Sequence, residues 1–198
     1  HMSTVYKIKD GLDIKLLGDA EKNIVDLNAK RFAIKPPDFI GCFPKMLVQE
    51  GDAVKVGSPL FFDKYRDNIQ FTSPVSGKVV GIIRGAKRKL LQVIIESDEK
   101  QEAVNFGKVD IKSATKESLT ELLLKSGVWP MIRQRPYSTI ADPNDSPKAI
   151  FISAFDSSPL APDFDLIVNG QEEVFQAGMD VLTKLTEGKV PLNVTAKK

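Results

Sequence analysis

Histidine is all but missing from this chain: the single residue is His1, and the His1-Met2 pair reads as a cloning remnant. Catalytic triads built on histidine and zinc sites with histidine ligands are therefore excluded from the segment. Cysteine is as scarce. Cys42 stands alone between Gly41 and Phe43, so neither a disulfide framework nor an iron–sulfur cluster can form within the chain, and a buried, inert thiol is expected. No apolar run approaches the roughly 20 residues that span a bilayer, and no signal peptide is visible. An excess of one charge is also lacking. The 28 Lys and Arg against 26 Asp and Glu leave a net charge of +2. They are interspersed, so no electrostatic footprint for nucleic acid exists, and Lys87-Arg88-Lys89 reads as a short solvated turn. Neither G-x-G-x-x-G nor G-x-x-x-x-G-K-[ST] occurs, which removes sequence support for a phosphate cradle. What remains is the expectation of a soluble, cytoplasmic protein of one or two domains, with 42% hydrophobic residues in 198 to build a core.

Present instead is a pair of glycine-punctuated turns. Gln49-Glu50-Gly51-Asp52-Ala53-Val54-Lys55-Val56-Gly57 precedes Pro74-Val75-Ser76-Gly77-Lys78-Val79-Val80. Glycines 51, 57 and 77 fall where short strands, Lys45 to Val48, Ser58 to Phe62 and Lys78 to Ile83, must turn. The pattern resembles the lipoyl/biotinyl carrier module, with its E-G-D-x-V-x-x-G turn and later S-P-x-S-G-K-V segment. A carrier needs an exposed lysine amine at a hairpin tip. Counting back from Pro74 by the carrier spacing falls on Arg66, whose guanidinium cannot be acylated. Asp63-Lys64 lies two residues earlier and reads as a solvated hairpin end, so the shape is expected here without the cofactor arm, Lys64 being the residue an arm would use.

Beyond residue 100 the hydrophobic period changes from two to 3.6. A helix should begin between Ser113 and Ser118, capped by Ser113 or Thr115. Its face would carry Leu119, Leu122 and Leu123, and Gly127 would end it in the left-handed region. Val128-Trp129-Pro130-Met131-Ile132-Arg133-Gln134-Arg135-Pro136-Tyr137 then sets the only Trp and two arginines between prolines. Ser138 to Pro147 reads as loop. Trp129 suits a core anchor, while Arg133, Arg135 and Tyr137 suit contact with an anion, a planar ligand or a partner.

A βαβ pattern follows. Ala149 to Phe155 is a continuous apolar run of the kind buried in parallel sheets. Asp156 to Asp163 is turn chemistry. A helix is expected from about Gly170 to Leu185 with Val174, Gly178, Val181, Leu182 and Leu185 on one face, Gly188 as its stop, and a strand over Val190 to Val194. Asp156, Ser157 and Ser158 lie where open α/β sheets place ligands. A parallel sheet needs further strands, so the chain reads as a truncated piece of a longer polypeptide. No base, nucleophile and oxyanion set converges, so a stand-alone enzyme has the least support.

Six motifs in order carry a family resemblance over nearly the whole chain. They are Lys7-Ile8-Lys9-Asp10-Gly11-Leu12-Asp13, Glu50-Gly51-Asp52-Ala53-Val54, Phe71-Thr72-Ser73-Pro74-Val75-Ser76-Gly77-Lys78-Val79, Ser126-Gly127-Val128-Trp129-Pro130, Arg133-Gln134-Arg135-Pro136-Tyr137-Ser138 and Asp156-Ser157-Ser158-Pro159-Leu160-Ala161. Together they resemble the A-subunit family of the bacterial sodium-translocating NADH:quinone oxidoreductases. The resemblance implies a mixed α+β and α/β chain: N-terminal extension strands over 1–30, a barrel-sandwich hybrid over 31–100 and a truncated Rossmann-like domain over 101–198. It implies a subunit peripheral to the cytoplasmic side of the bacterial inner membrane, partnered by membrane and NADH-oxidising subunits. NADH, FMN and 2Fe-2S centres would be used by those other subunits, with no cofactor or metal bound here. Related flavin proteins carry a G-x-G-G-x-G-F-P loop where this chain has Ser126 to Arg133, and Trp129 and Met131 would fill the space that loop leaves. Ubiquinone is the implied ligand, with Trp129, Arg133, Arg135 and Tyr137 as candidate contacts. The alternative is a carrier or electron-transfer subunit of the ferredoxin-linked C-subunit type, which shares the order of domains.

Overall fold

The computed structural model describes residues 11, 16–18 and 20–194. The strands expected over 1–30, and with them the Lys7 to Asp13 motif, lie largely outside the described residues. From 20 to 30 the chain is exposed and contains no helix or strand.

Seven strands follow: β1 (Arg31–Ile34), β2 (Pro44–Met46), β3 (Ala53–Val54), β4 (Pro59–Asp63), β5 (Arg66–Thr72), β6 (Gly77–Arg84) and β7 (Leu90–Ser97). They form two antiparallel sheets, ordered β1-β7-β6-β3 and β2-β4-β5. Alternation sorts their residues between core and water. On β6, Val79 and Gly81 point inward while Lys78 and Val80 are exposed. Leu60, Phe61, Ile69, Val79, Val93 and Ile95 are at most 1% accessible, each large apolar side chain contributing roughly 1.5–3 kcal/mol by its burial. Phe61 stacks on Phe71 at 4.6 Å between ring centroids, and Phe39 meets Phe71 edge-on at 4.7 Å. Gly77 is needed where β6 leaves the turn: its φ is +152°, and a Cβ there would drive into the Glu96 carbonyl. Ser76 ties this turn to the end of β7, its hydroxyl donating to Asp98 Oδ1 at 2.5 Å and accepting from the Glu102 amide at 3.1 Å.

The second half holds α1 (Lys116–Lys125), β8 (Arg133–Gln134), β9 (Thr139–Ile140), β10 (Ile152–Ser153), α2 (Phe164–Val168), α3 (Glu172–Lys184) and β11 (Leu192–Asn193). Thr115 caps α1 and shares a capping box with Ser118. Leu119 and Leu124 are its buried residues, with Leu122 and Leu123 half-buried; Leu124, which the helical spacing did not single out, faces the core.

Three expectations are corrected. The loop expected over Ser138 to Pro147 begins as a strand, because Thr139 and Ile140 pair with Gln134 and Arg133 in an antiparallel hairpin. The apolar run from Ala149 to Phe155 does pair in parallel with the segment from Lys189 to Asn193, the Ile150, Ile152 and Ala154 amides donating across, but it is not buried. Phe151 is left 71% exposed. Parallel strands are normally covered on both faces, and among the described residues this sheet has two strands only. The face expected for α3 is corrected in its first half only. Val174 and Gly178 are exposed and Phe175 and Met179 turn inward instead, while Val181 and Leu182 pack on the core and Leu185 is buried at 3% exposure, as expected. α2 was not anticipated; the Asp163 carboxylate caps it by accepting from the Leu166 amide at 3.1 Å.

Candidate functional site

The two halves meet along a polar seam. At the β4–β5 turn the Asp63 side chain is 1% exposed, and the Arg66 Nε and Nη2 both donate to its Oδ2 at 3.0 and 2.9 Å. Its Oδ1 accepts from the Phe43 and Tyr65 amides at 3.4 and 3.3 Å. The third donor of Arg66, Nη1, reaches the Ile140 carbonyl of β9 at 3.0 Å. Of the Asp63-Lys64 pair, read as a solvated hairpin end, Lys64 is exposed but Asp63 is buried. Its carboxylate is the buried half of a charge-assisted pair in which two guanidinium donors share one oxygen. Sequence reasoning missed this pair; its signal was an Asp and an Arg three apart across a two-residue turn. Lys64 is exposed at the tip, its ammonium 5.6 Å from the Tyr65 ring. A second stitch lies at the end of α1, where Gly127 has φ +75° and sits against the Thr72 side chain, while Thr72 Oγ1 donates to the Ser126 carbonyl at 3.2 Å.

The four residues named for ubiquinone are separated by burial. Trp129 is 5% exposed and its indole N–H donates to the Ala141 carbonyl at 2.8 Å, so its ring is part of the core beneath the β8–β9 hairpin. Arg133, Arg135 and Tyr137 lie exposed on that hairpin, Tyr137 at 80%. Met131, expected to fill space, is 67% exposed. In the segment where flavin proteins cradle a phosphate, the Gly127, Val128, Met131 and Ile132 amides donate to the Leu124, Leu123, Val128 and Trp129 carbonyls, so these donors are not free for a flavin phosphate.

Asp156 and Ser158 form a closed turn beyond β10. The Asp156 Oδ1 accepts from the Ser158 amide at 2.8 Å and hydroxyl at 2.6 Å, and these bonds hold its pKa below the usual carboxylate range. Ser157 is exposed beside them. Among the described residues no three His, Cys, Asp or Glu side chains gather to hold a metal ion. Among the same residues, no helix is long and apolar enough to cross a membrane.

A cavity of about 470 Å³ opens beside the Asp63–Arg66 pair. Its wall includes Pro36, Phe39, Ile40 and Phe43, and its rim carries Lys64, Arg84, Arg88 and Lys89. Cys42 lies in the wall, half-buried rather than fully enclosed. Burial pushes its thiol up to about 12, aided by the Asp63 charge and opposed by Arg66. It is protonated and unreactive at neutral pH.

A two-sheet barrel-sandwich module followed by an α/β unit with a parallel crossover defines the class of protein to which this fold belongs. A profile of the NqrA N-terminal barrel-sandwich hybrid domain matches residues 6–98, and one of the NqrA second alpha/beta domain matches residues 114–198. The chain belongs to the NqrA family. It is 42% identical over 189 residues to the A subunit of the Na(+)-translocating NADH-quinone reductase of Yersinia pseudotuberculosis, a match covering 94% of this chain and 42% of that protein. The corresponding proteins of Photorhabdus laumondii, 42% identical over 190 residues, and of a Marinomonas strain, 38% identical over 190 residues, show the same coverage. The chain thus spans less than half the length of these relatives.

Proposed function

We propose that this chain works as part of the A subunit of a sodium-translocating NADH-quinone reductase. In this reading it sits peripherally on the cytoplasmic side of the membrane, docks on the membrane and NADH-oxidising subunits, and contributes contacts to ubiquinone. The observation that carries the reading is the match to two successive NqrA domains along the chain, with 42% identity to the Yersinia pseudotuberculosis protein. NADH oxidation, FMN and 2Fe-2S chemistry belong to the other subunits, and this chain supplies position and surface. That match favours the NqrA reading over the ferredoxin-linked C-subunit type.

The β8–β9 hairpin supports a quinone contact at the level of residues. Arg133 and Arg135 offer donors to a quinone carbonyl, and the exposed Tyr137 ring offers a flat face. Trp129, buried under the hairpin, holds its base through the Ala141 carbonyl and acts as a positioning residue. Trp129 is the only Trp, so its fluorescence reports this region alone. A short-chain ubiquinone should quench it saturably, and Arg135→Ala or Tyr137→Ala should weaken that saturation without changing the unliganded spectrum. Quenching that rises linearly with quinone and is indifferent to both substitutions would reject the contact.

A further inference from the structure

The cavity beside the Asp63–Arg66 pair sets a basic rim against an apolar wall. One wall is apolar and stiff, built from Pro36, Pro37, Phe39, Ile40, Phe43 and Pro44, where prolines and aromatic rings have little conformational freedom to lose. Facing it are four cations from three places in the fold: Lys64 at the β4–β5 tip, Arg84 at the end of β6, and Arg88 and Lys89 in the β6–β7 turn. Among the described residues none of the four is in an ion pair. The nearby acid, Asp63, is already taken by Arg66. In a chain with a net charge of only +2, four convergent cations without an acid are not the background pattern.

The turn that supplies two of them is held in an unusual shape. Lys87 and Arg88 have φ of 53° and 59°, the left-handed region that residues with a Cβ seldom occupy. Gly85 precedes them where a Cβ would meet Leu91 at 2.9 Å. The Arg88 carbonyl accepts from Arg84 Nη1 at 3.1 Å, which fixes one guanidinium against the turn. The cations are thus presented by a constrained loop against a preformed wall, and the volume of about 470 Å³ falls within the usual range of small-molecule pockets.

We propose that this cavity binds a small amphiphilic anion: a flat or chain-like apolar body lying on the Pro36 to Pro44 wall, with a phosphate, sulfonate or carboxylate head held by Arg84, Arg88, Lys89 and Lys64. The site is separate from the quinone hairpin and does not depend on the family reading. Its head group could belong to a lipid or to a soluble aryl phosphate, since both present the same chemistry.

The test uses 8-anilinonaphthalene-1-sulfonate as the probe and N-phenyl-1-naphthylamine as its neutral counterpart. Both brighten in apolar surroundings, so occupancy of the wall is read from their fluorescence at neutral pH. The sulfonate should bind saturably at one site, and the neutral amine far more weakly. The double variant Arg88→Gln, Lys89→Gln should weaken the sulfonate about fivefold, the loss expected from two exposed charge contacts, with an unchanged melting temperature. Ile40→Asp, which sets a negative charge in the wall, should abolish sulfonate binding; retention would overturn the site. Displacement by phosphatidate vesicles would assign a lipid source, and displacement by phenyl phosphate a soluble one. Displacement by neither, equal displacement by inorganic phosphate, or sulfonate affinity untouched by the double variant would each overturn the proposal.

Discussion

Removing the guanidinium of Arg66 strands the Asp63 carboxylate, which is 1% exposed and has only two backbone amides left as partners. Arg66→Ala should therefore destabilise the fold by on the order of 3 kcal/mol, the cost of an uncompensated buried charge. Asp63→Asn should cost less, because it removes the charge that requires pairing; equal losses in chemical denaturation would contradict the buried-pair account. Asp98 gives a pH dependence. Its pKa is lowered first by the hydrogen bond from the Ser76 hydroxyl and then by the Lys100 amide. A depressed folded-state pKa gives stability that is full above the unfolded value, near 3.8, and is lost as pH falls through the folded value. Ser76→Ala should thus flatten the stability profile between about pH 4 and the acid limit, while an unaltered profile would place the acid sensitivity elsewhere. At this scale the sequence identified Arg66 only as a residue unable to carry a cofactor arm. Asp63, three residues away, had a local signal that was missed, but the second partner, the Ile140 carbonyl 74 residues away, could not be read.

Elements were legible where their signals are local. Ser113 or Thr115 as cap, Gly127 as stop and the turn glycines of the barrel each follow from backbone preferences that need no knowledge of the fold, and the structure selects Thr115. The helix α1 was therefore placed within a residue or two, and Thr115→Ala should cost about 1 kcal/mol. Gly127→Ala should cost more than that, since it adds a left-handed residue with a Cβ to a clash with Thr72; a neutral effect in thermal unfolding would show that the seam there is loose. Legibility failed where tertiary pairing decides. The apolar run from Ala149 to Phe155 has the composition of a buried strand, yet Phe151 and Phe155 are 71% and 41% exposed. Phe151→Ser should then change stability by less than about 0.5 kcal/mol, and a loss as large as that of a core phenylalanine would mean that this face is covered. The hairpin β8–β9 was hidden for the opposite reason: its sequence is rich in turn formers, and only the pairing of Arg133 with Ile140 and Gln134 with Thr139 makes it a strand pair.

For the whole molecule, the order of motifs carried more than any single one. The barrel-sandwich and α/β class was readable because turn glycines and the change of period each mark a segment, and the family membership follows from two successive domain matches. The site was less readable, since four residues close in sequence are divided by burial, Trp129 beneath and the other three outside. The most direct measurement of the central claim is a binding assay with the sodium-translocating complex stripped of its own NqrA protein. The result expected is that this chain associates saturably with the stripped complex and is displaced by the full-length NqrA of Yersinia pseudotuberculosis. A folded chain that does not associate, or that associates without being displaced, would contradict its role as part of that complex.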